Sequence, residues 1–127
     1  MNMTRCIETI LKAAVKVRNR LGSNLDCQAY LDALCAELTK AKLLFQRNRG
    51  LPAGKGSELD RASPLDLVVE NQIVVELKTL KNLIPIHEDQ VRTYMRLGGW
   101  PVGLLLNFGG DARSFQRLFC EYCRSLV

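Results

Sequence analysis

Three residues in the stretch "LDLVVENQIVVELKTL", Leu65 to Leu80, are of types that could do chemistry together: Asp66, Glu76 and Lys78. Side chains alternate along a strand, so Glu76 and Lys78, two apart, share a face. The polar "ENQ" between two apolar runs predicts an antiparallel hairpin, which brings Asp66 back beside Glu76. Two carboxylates converging there repel unless something positive holds them. A hard divalent cation, Mg²⁺ or Mn²⁺, does this through oxygen ligands, with Asp66 and Glu76 as the metal-binding pair. A cation so held polarises a phosphoryl oxygen and acidifies a water. Lys78 then orients that water or neutralises charge developing on the phosphate. The plainer alternative is a cross-strand salt bridge at a sheet edge.

The surrounding elements must hold this hairpin in place. Thr4 is a helix N-cap candidate, followed by Ile7, Ile10, Leu11, Ala14 and Val15 at helical spacing. That helix is expected to end near Arg20, before Gly22. A second helix is predicted from Asn24 to Lys40, burying Tyr30, Leu31, Leu34, Cys35 and Leu38. Leu43 to Arg47 reads as a short strand, and "RGLPAGKGSELDRASP" as a loop or frayed hairpin. After the hairpin, Ile86 to Leu97 has helical spacing and Gly98-Gly99 stops it. Val102 to Phe108 is a continuous apolar run, suited to a strand buried on both faces and joined by the helix in parallel to the Ile73–Leu77 strand. The tail, Asp111 to Val127, reads as a helix with Phe115, Leu118, Phe119, Tyr122 and Cys123 on one face. The predicted order is α-α-β-β-β-α-β-α, an α/β fold.

A chain of 127 residues with 47% hydrophobic content can bury a core and is not disordered, so residues 1–127 are expected to form a single domain. No run approaches the roughly 18 uncharged apolar residues of a membrane span. Arg5, Glu8 and Lys12 interrupt any signal-peptide core, so a cytoplasmic location is expected. The five cysteines lack framework spacing and read as reduced thiols. "CEYC", Cys120 to Cys123, has no second pair to complete a zinc site.

Net charge is +5, from 18 basic and 13 acidic residues, which permits a polyanionic partner without demanding one. The basic residues cluster in "KVRNR" and "FQRNRGLPAGK". Lys16, Arg18, Arg20, Arg47, Arg49 and Lys55 are the candidate phosphate contacts; the alternative is two solvated faces. His87, the only histidine, caps a helix start or positions a water.

Pro64-Leu65-Asp66 followed by Glu76-Leu77-Lys78 resembles the PD-(D/E)XK nuclease signature. The run from Ile73 to Gly109 resembles, within that superfamily, the small bacterial GxxExxxR family, which shows glutamate–x–lysine, then "L-x-P-x-H-E-x-Q", then "G-LLLNFG". The resemblance spans about residues 5 to 110, more strongly in its second half. It implies a restriction-endonuclease-like αβββαβ core with a mixed four-stranded sheet flanked by helices. It also implies that Asp66, Glu76 and Lys78 are catalytic with Mg²⁺, and that Gln90 lies next to the site. The implied partner is nucleic acid, DNA first. So small a core reads little sequence alone, so a homodimer or a further partner is the expected route to specificity.

The chain departs from that family where its name is written. The glycine, glutamate and arginine positions fall on Asn24, Cys27 and Leu31. Cys27 would remove an oxygen ligand from the metal site, and neighbouring Asp26 would face about 100° away on the helix. Residues Ala53 to Asp60 lack the family's apolar alternation. Three functions therefore compete: a Mg²⁺-dependent phosphodiesterase, weakened or degenerate at Cys27; an inactive descendant that binds nucleic acid or protein; and a structural or dimerising domain.

Overall fold

The computed structural model describes residues 2–49, 65–111 and 115–120. Helix α1 (Met3–Leu21) starts where the Asn2 side chain accepts the Arg5 N–H at 2.8 Å, so Asn2, not Thr4, is the cap. It buries Cys6, Ile10, Ala13, Ala14 and Val17 at three-to-four spacing. Helix α2 (Cys27–Lys40) starts three residues later than its sequence suggests, because the Asp26 carboxylate accepts the Ala29 N–H at 2.9 Å.

Strands β1 (Phe45–Arg49), β2 (Leu65–Val69) and β3 (Ile73–Lys78) form an antiparallel meander. Helix α3 (Pro85–Gly98) then crosses to β4 (Val102–Asn107), which runs parallel to β3 in the register Ile73↔Val102 to Lys78↔Asn107. This is the expected αβββαβ core, with β3 at the centre of the sheet. At the start of α3, Pro85 occupies a position that needs no N–H, and His87 Nδ1 accepts the Ile84 N–H at 3.0 Å. The capping role of His87 is thus the one observed.

Alternation sorts the core onto two faces. Leu67, Val69, Ile73, Val75 and Leu77 pack with α1 and α2. Val68, Val74 and Leu105 pack with Val91, Tyr94 and Met95 of α3, and Trp100 lies in the same cluster.

The tail corrects its sequence reading. Gln116–Cys120 is a strand, β5, antiparallel to β4, so the sheet has five strands among the described residues, not four. Phe115, Leu118 and Phe119 satisfy helical spacing, but each finds a different place in the strand. Phe115 enters the α1–α2 core against Phe108, Phe119 lies opposite Gly103 and packs on the α3 side, and Leu118 is exposed. Pairing with β5 supplies β4 with the second neighbour its double-sided apolar sequence calls for. Lys55, the loop between β1 and β2, Tyr122 and Cys123 lie outside the described residues.

Candidate active site

The site begins where the β2–β3 ladder stops. Backbone pairing runs from Val69↔Ile73 to Leu67↔Val75. Beyond it, side chains take over the bonding. The Asp66 N–H donates to Glu76 Oε1 at 2.8 Å, and the Leu77 N–H donates to Asp66 Oδ2 at 2.8 Å. Each carboxylate thus spends one oxygen on the opposite backbone. Asp66 Oδ1 and Glu76 Oε2 have no hydrogen-bond partner among the described residues.

Glu76 is only 5% exposed. Burial, reinforced by the Asp66 charge, pushes its carboxyl up to about 8. Burial also raises Asp66, against the Leu77 N–H and the Lys78 charge, which both lower it. Near neutral pH Glu76 therefore keeps its proton, which a bound cation would have to displace. Lys78 ends β3 half-buried and draws both carboxyls down, yet among the described residues it forms no ion pair with either. The edge salt bridge is excluded on two grounds: β3 is central, and that bridge is not made. Alternation puts Glu76 and Lys78 on the α3 side, where α3 carries half-buried Gln90, whereas Asp66 follows Leu65 of the α3-side cluster and its charge reaches Cys27 and Cys35 of α2.

Cys27 stands beside this pair. It is the first residue of α2, and its thiol donates to the Leu77 carbonyl at 3.4 Å. Burial, then the charges of Asp66 and Glu76, push that thiol up to about 11, so it is protonated and a weak nucleophile. Asp26 is committed to capping α2 and does not stand in for a lost acid. Leu31 is core. Asn24 has φ +72°, a left-handed conformation that asparagine tolerates next best after glycine.

The donor set fits a hard cation that keeps most of its waters: buried Glu76 and half-buried Asp66, each with one oxygen unbonded among the described residues. Among the described residues there is no cluster of three or more His, Cys, Asp or Glu side chains arranged to hold a metal, so two acids are what this site offers.

The candidate phosphate contacts are not gathered here. Lys16 and Arg20 reach Glu37, each at 3.3 Å, with Lys40 a third partner at 3.5 Å. Together the three cations hold a carboxylate that is 7% exposed. Arg18 lies 5.1 Å from the Phe115 ring centre and donates to the Gly110 carbonyl. Arg47 pairs with Asp32 at 2.7 Å on the α2 side, whereas Arg49 lies over Trp100 of the α3 cluster. Five of the six candidates therefore already have structural partners, on different surfaces.

The sequence profile of one family, described as the PD-(D/E)XK nuclease superfamily, matches residues 4–118. The chain belongs to the PD-(D/E)XK nuclease superfamily. Searches of curated proteins and of solved structures found no match. As a PD-(D/E)XK protein, this chain has the restriction-endonuclease-like arrangement of a mixed sheet flanked by helices, extended by β5. Sequence reasoning passed over two residues at and just after the end of β4. Asn107 is fully buried and bonded to Leu80, and Gly109 lies against the Thr79–Leu80 peptide. Their signal was a polar residue closing an apolar strand, followed two residues on by glycine.

Proposed function

We propose that this chain is a Mg²⁺- or Mn²⁺-dependent phosphodiesterase acting on nucleic acid, with DNA as the first substrate to test. One observation carries the reading. Asp66 and Glu76 are held together by reciprocal backbone hydrogen bonds, and among the described residues neither forms an ion pair. A structural pair would be neutralised from within the chain. When bound, the cation supplies Lewis-acid polarisation of the phosphoryl group and an acidified water.

The chain's own residues do the rest. Asp66 and Glu76 orient the cation through their free oxygens. Lys78, next on the same face of β3 and without an ion pair among the described residues, offsets negative charge growing on the phosphate. Gln90, half-buried on α3, is assigned to hydrogen-bonding water or substrate. Asn24 in its glycine-like conformation favours the GxxExxxR family within the superfamily. One domain, a cytoplasmic location and a homodimer complete the reading.

A second reading has its own support. Cys27 stands where an acid would add an oxygen, and its thiol occupies the Leu77 carbonyl. That favours an inactive descendant that binds nucleic acid or protein.

The test is cleavage of labelled duplex DNA, single-stranded DNA and RNA with Mg²⁺ or Mn²⁺, comparing wild type with Glu76→Gln and Lys78→Ala. The phosphodiesterase reading expects cleavage that both substitutions abolish while the melting transition persists. Binding without cleavage would give the site to the second reading.

A further inference from the structure

From Glu76 onward, β3 has no backbone ladder with β2 among the described residues. Asp66 and Cys27 hold the Leu77 peptide, and from Lys78 onward the strand end is held from the β4 side, where the last register pair is Lys78↔Asn107. There the Phe108 N–H donates to the Lys78 carbonyl at 2.8 Å. One peptide further, β4 has ended, and a side chain continues the pairing. The Asn107 carboxamide donates to the Leu80 carbonyl at 2.8 Å and accepts the Leu80 N–H at 2.9 Å. It also accepts the Gly109 N–H at 3.2 Å. A single side chain thus imitates a strand neighbour for Leu80, and Asn107 is 0% exposed. Only one orientation of the amide satisfies both bonds, so donor and acceptor are each assigned.

Gly109 completes the arrangement. A Cβ there would lie 2.6 Å from the Thr79 carbonyl carbon, 2.8 Å from the Leu80 nitrogen and 2.9 Å from the Leu80 oxygen. Those are backbone atoms, so a side chain at 109 would push the Thr79–Leu80 peptide away. Beyond it the chain turns outward: Leu80 is 37% exposed, and Lys81 and Asn82 are exposed. Asn107 and Gly109 grip the final anchored peptide after Lys78.

We infer that Asn107 and Gly109 are positioning residues for Lys78, setting where its ammonium group stands relative to Asp66 and Glu76. The inference rests on the assignment of Lys78 to the phosphate made above. A group held by its strand end loses reach steeply when that end shifts, and a displacement near 1 Å can cost about 100-fold in rate.

Asn107→Ala, Asn107→Asp and Gly109→Ala test it. Asn107→Asp keeps the acceptor for the Leu80 N–H and removes the donor to its carbonyl. The first measurement is amine labelling of the folded protein, read by mass spectrometry at Lys78 and, as a control, at Lys12. The second is the split between kcat and KM for nucleic-acid cleavage. We expect the labelling rate to change at Lys78 alone, and kcat to fall roughly 10- to 100-fold with KM held. Unchanged labelling at Lys78 in folded variants overturns the inference, as does an unchanged kcat. If wild type cleaves nothing, the phosphodiesterase reading fails and labelling alone decides the grip on Lys78. If the buried Asn107 variants do not fold, Gly109→Ala, at an exposed position, decides both measurements.

Discussion

Asp66 and Glu76 bind each other's strands rather than each other: Glu76 accepts the Asp66 N–H, and Asp66 accepts the Leu77 N–H. The pair is therefore fixed in place even when both groups carry charge.

Its cost is readable in pH. Burial raises Glu76 from 4.5 to about 8 on folding. The folded state then binds the proton more tightly than the unfolded chain. The resulting stability is fully present below about pH 4.5 and is lost as pH rises through about 8. Melting temperature in a chelator should fall across that window, by on the order of a few kcal/mol of stability. Glu76→Gln should flatten the curve; an equal slope in the variant would refute the assignment.

A bound cation would offset the charge of the pair. Mg²⁺ or Mn²⁺ in the millimolar range should raise the melting temperature, by ~1.4 kcal/mol at ten times Kd. Asp66→Asn and Glu76→Gln should each remove the shift. Equal shifts in all three proteins would place the cation elsewhere.

Cys27→Glu returns an anionic oxygen beside the pair. It forfeits the thiol bond to Leu77 and adds a third negative charge, so the metal-free variant should melt lower than wild type. Mg²⁺ should reverse that loss, and cleavage should rise ~10-fold. Adding Lys78→Ala should leave the metal-dependent stabilisation and remove the cleavage. A variant destabilised equally with and without Mg²⁺ would show that the position does not reach the metal.

Glu37 restrains Lys16, Arg20 and Lys40. Glu37→Gln should lower the melting temperature, most at low salt, because three cations are left facing one another. If this face contacts phosphate, the same change should tighten nucleic-acid binding and steepen its salt dependence by roughly one to two counterions. Unaltered binding would remove Lys16 and Arg20 from the interface.

Helix α3 sits close on β4 at Gly103, where a Cβ would fall 2.6 Å from both Val91 Cγ1 and Met95 Sδ. Gly103→Ala should destabilise by about 1–3 kcal/mol, measured in urea. The methionine can yield; the branched Val91 cannot without moving the helix.

The hairpin, the crossover helix and the parallel β3–β4 pair were legible because period two and period 3.6 were cleanly separated there. The tail was not, since Phe115, Leu118 and Phe119 fit a helical stripe and only the need of β4 for an outer neighbour argues for a strand. Helix starts were misplaced because Asn2 and Thr4, like Asn24 and Asp26, are all residues able to cap, and geometry alone chooses. The acidic pair was legible from hairpin register. The fate of the basic residues was not. Asp32 and Glu37, which engage Arg47, Lys16 and Arg20, lie 15 to 21 residues away in sequence, and nothing local announces them. Asn107 was passed over inside the run Val102 to Phe108, whereas its side chain extends the pairing to Leu80.

The acids and the lysine all belong to one hairpin, while β4 reaches it only after α3 has crossed over. Closing a short loop is fast and entropically mild, whereas parallel pairing across a helix is slow. During refolding the two carboxylates therefore meet before the strand that steadies Lys78 has docked. Their repulsion should then fall on the early steps, while the larger cost of burying Glu76 comes later, when the layers pack.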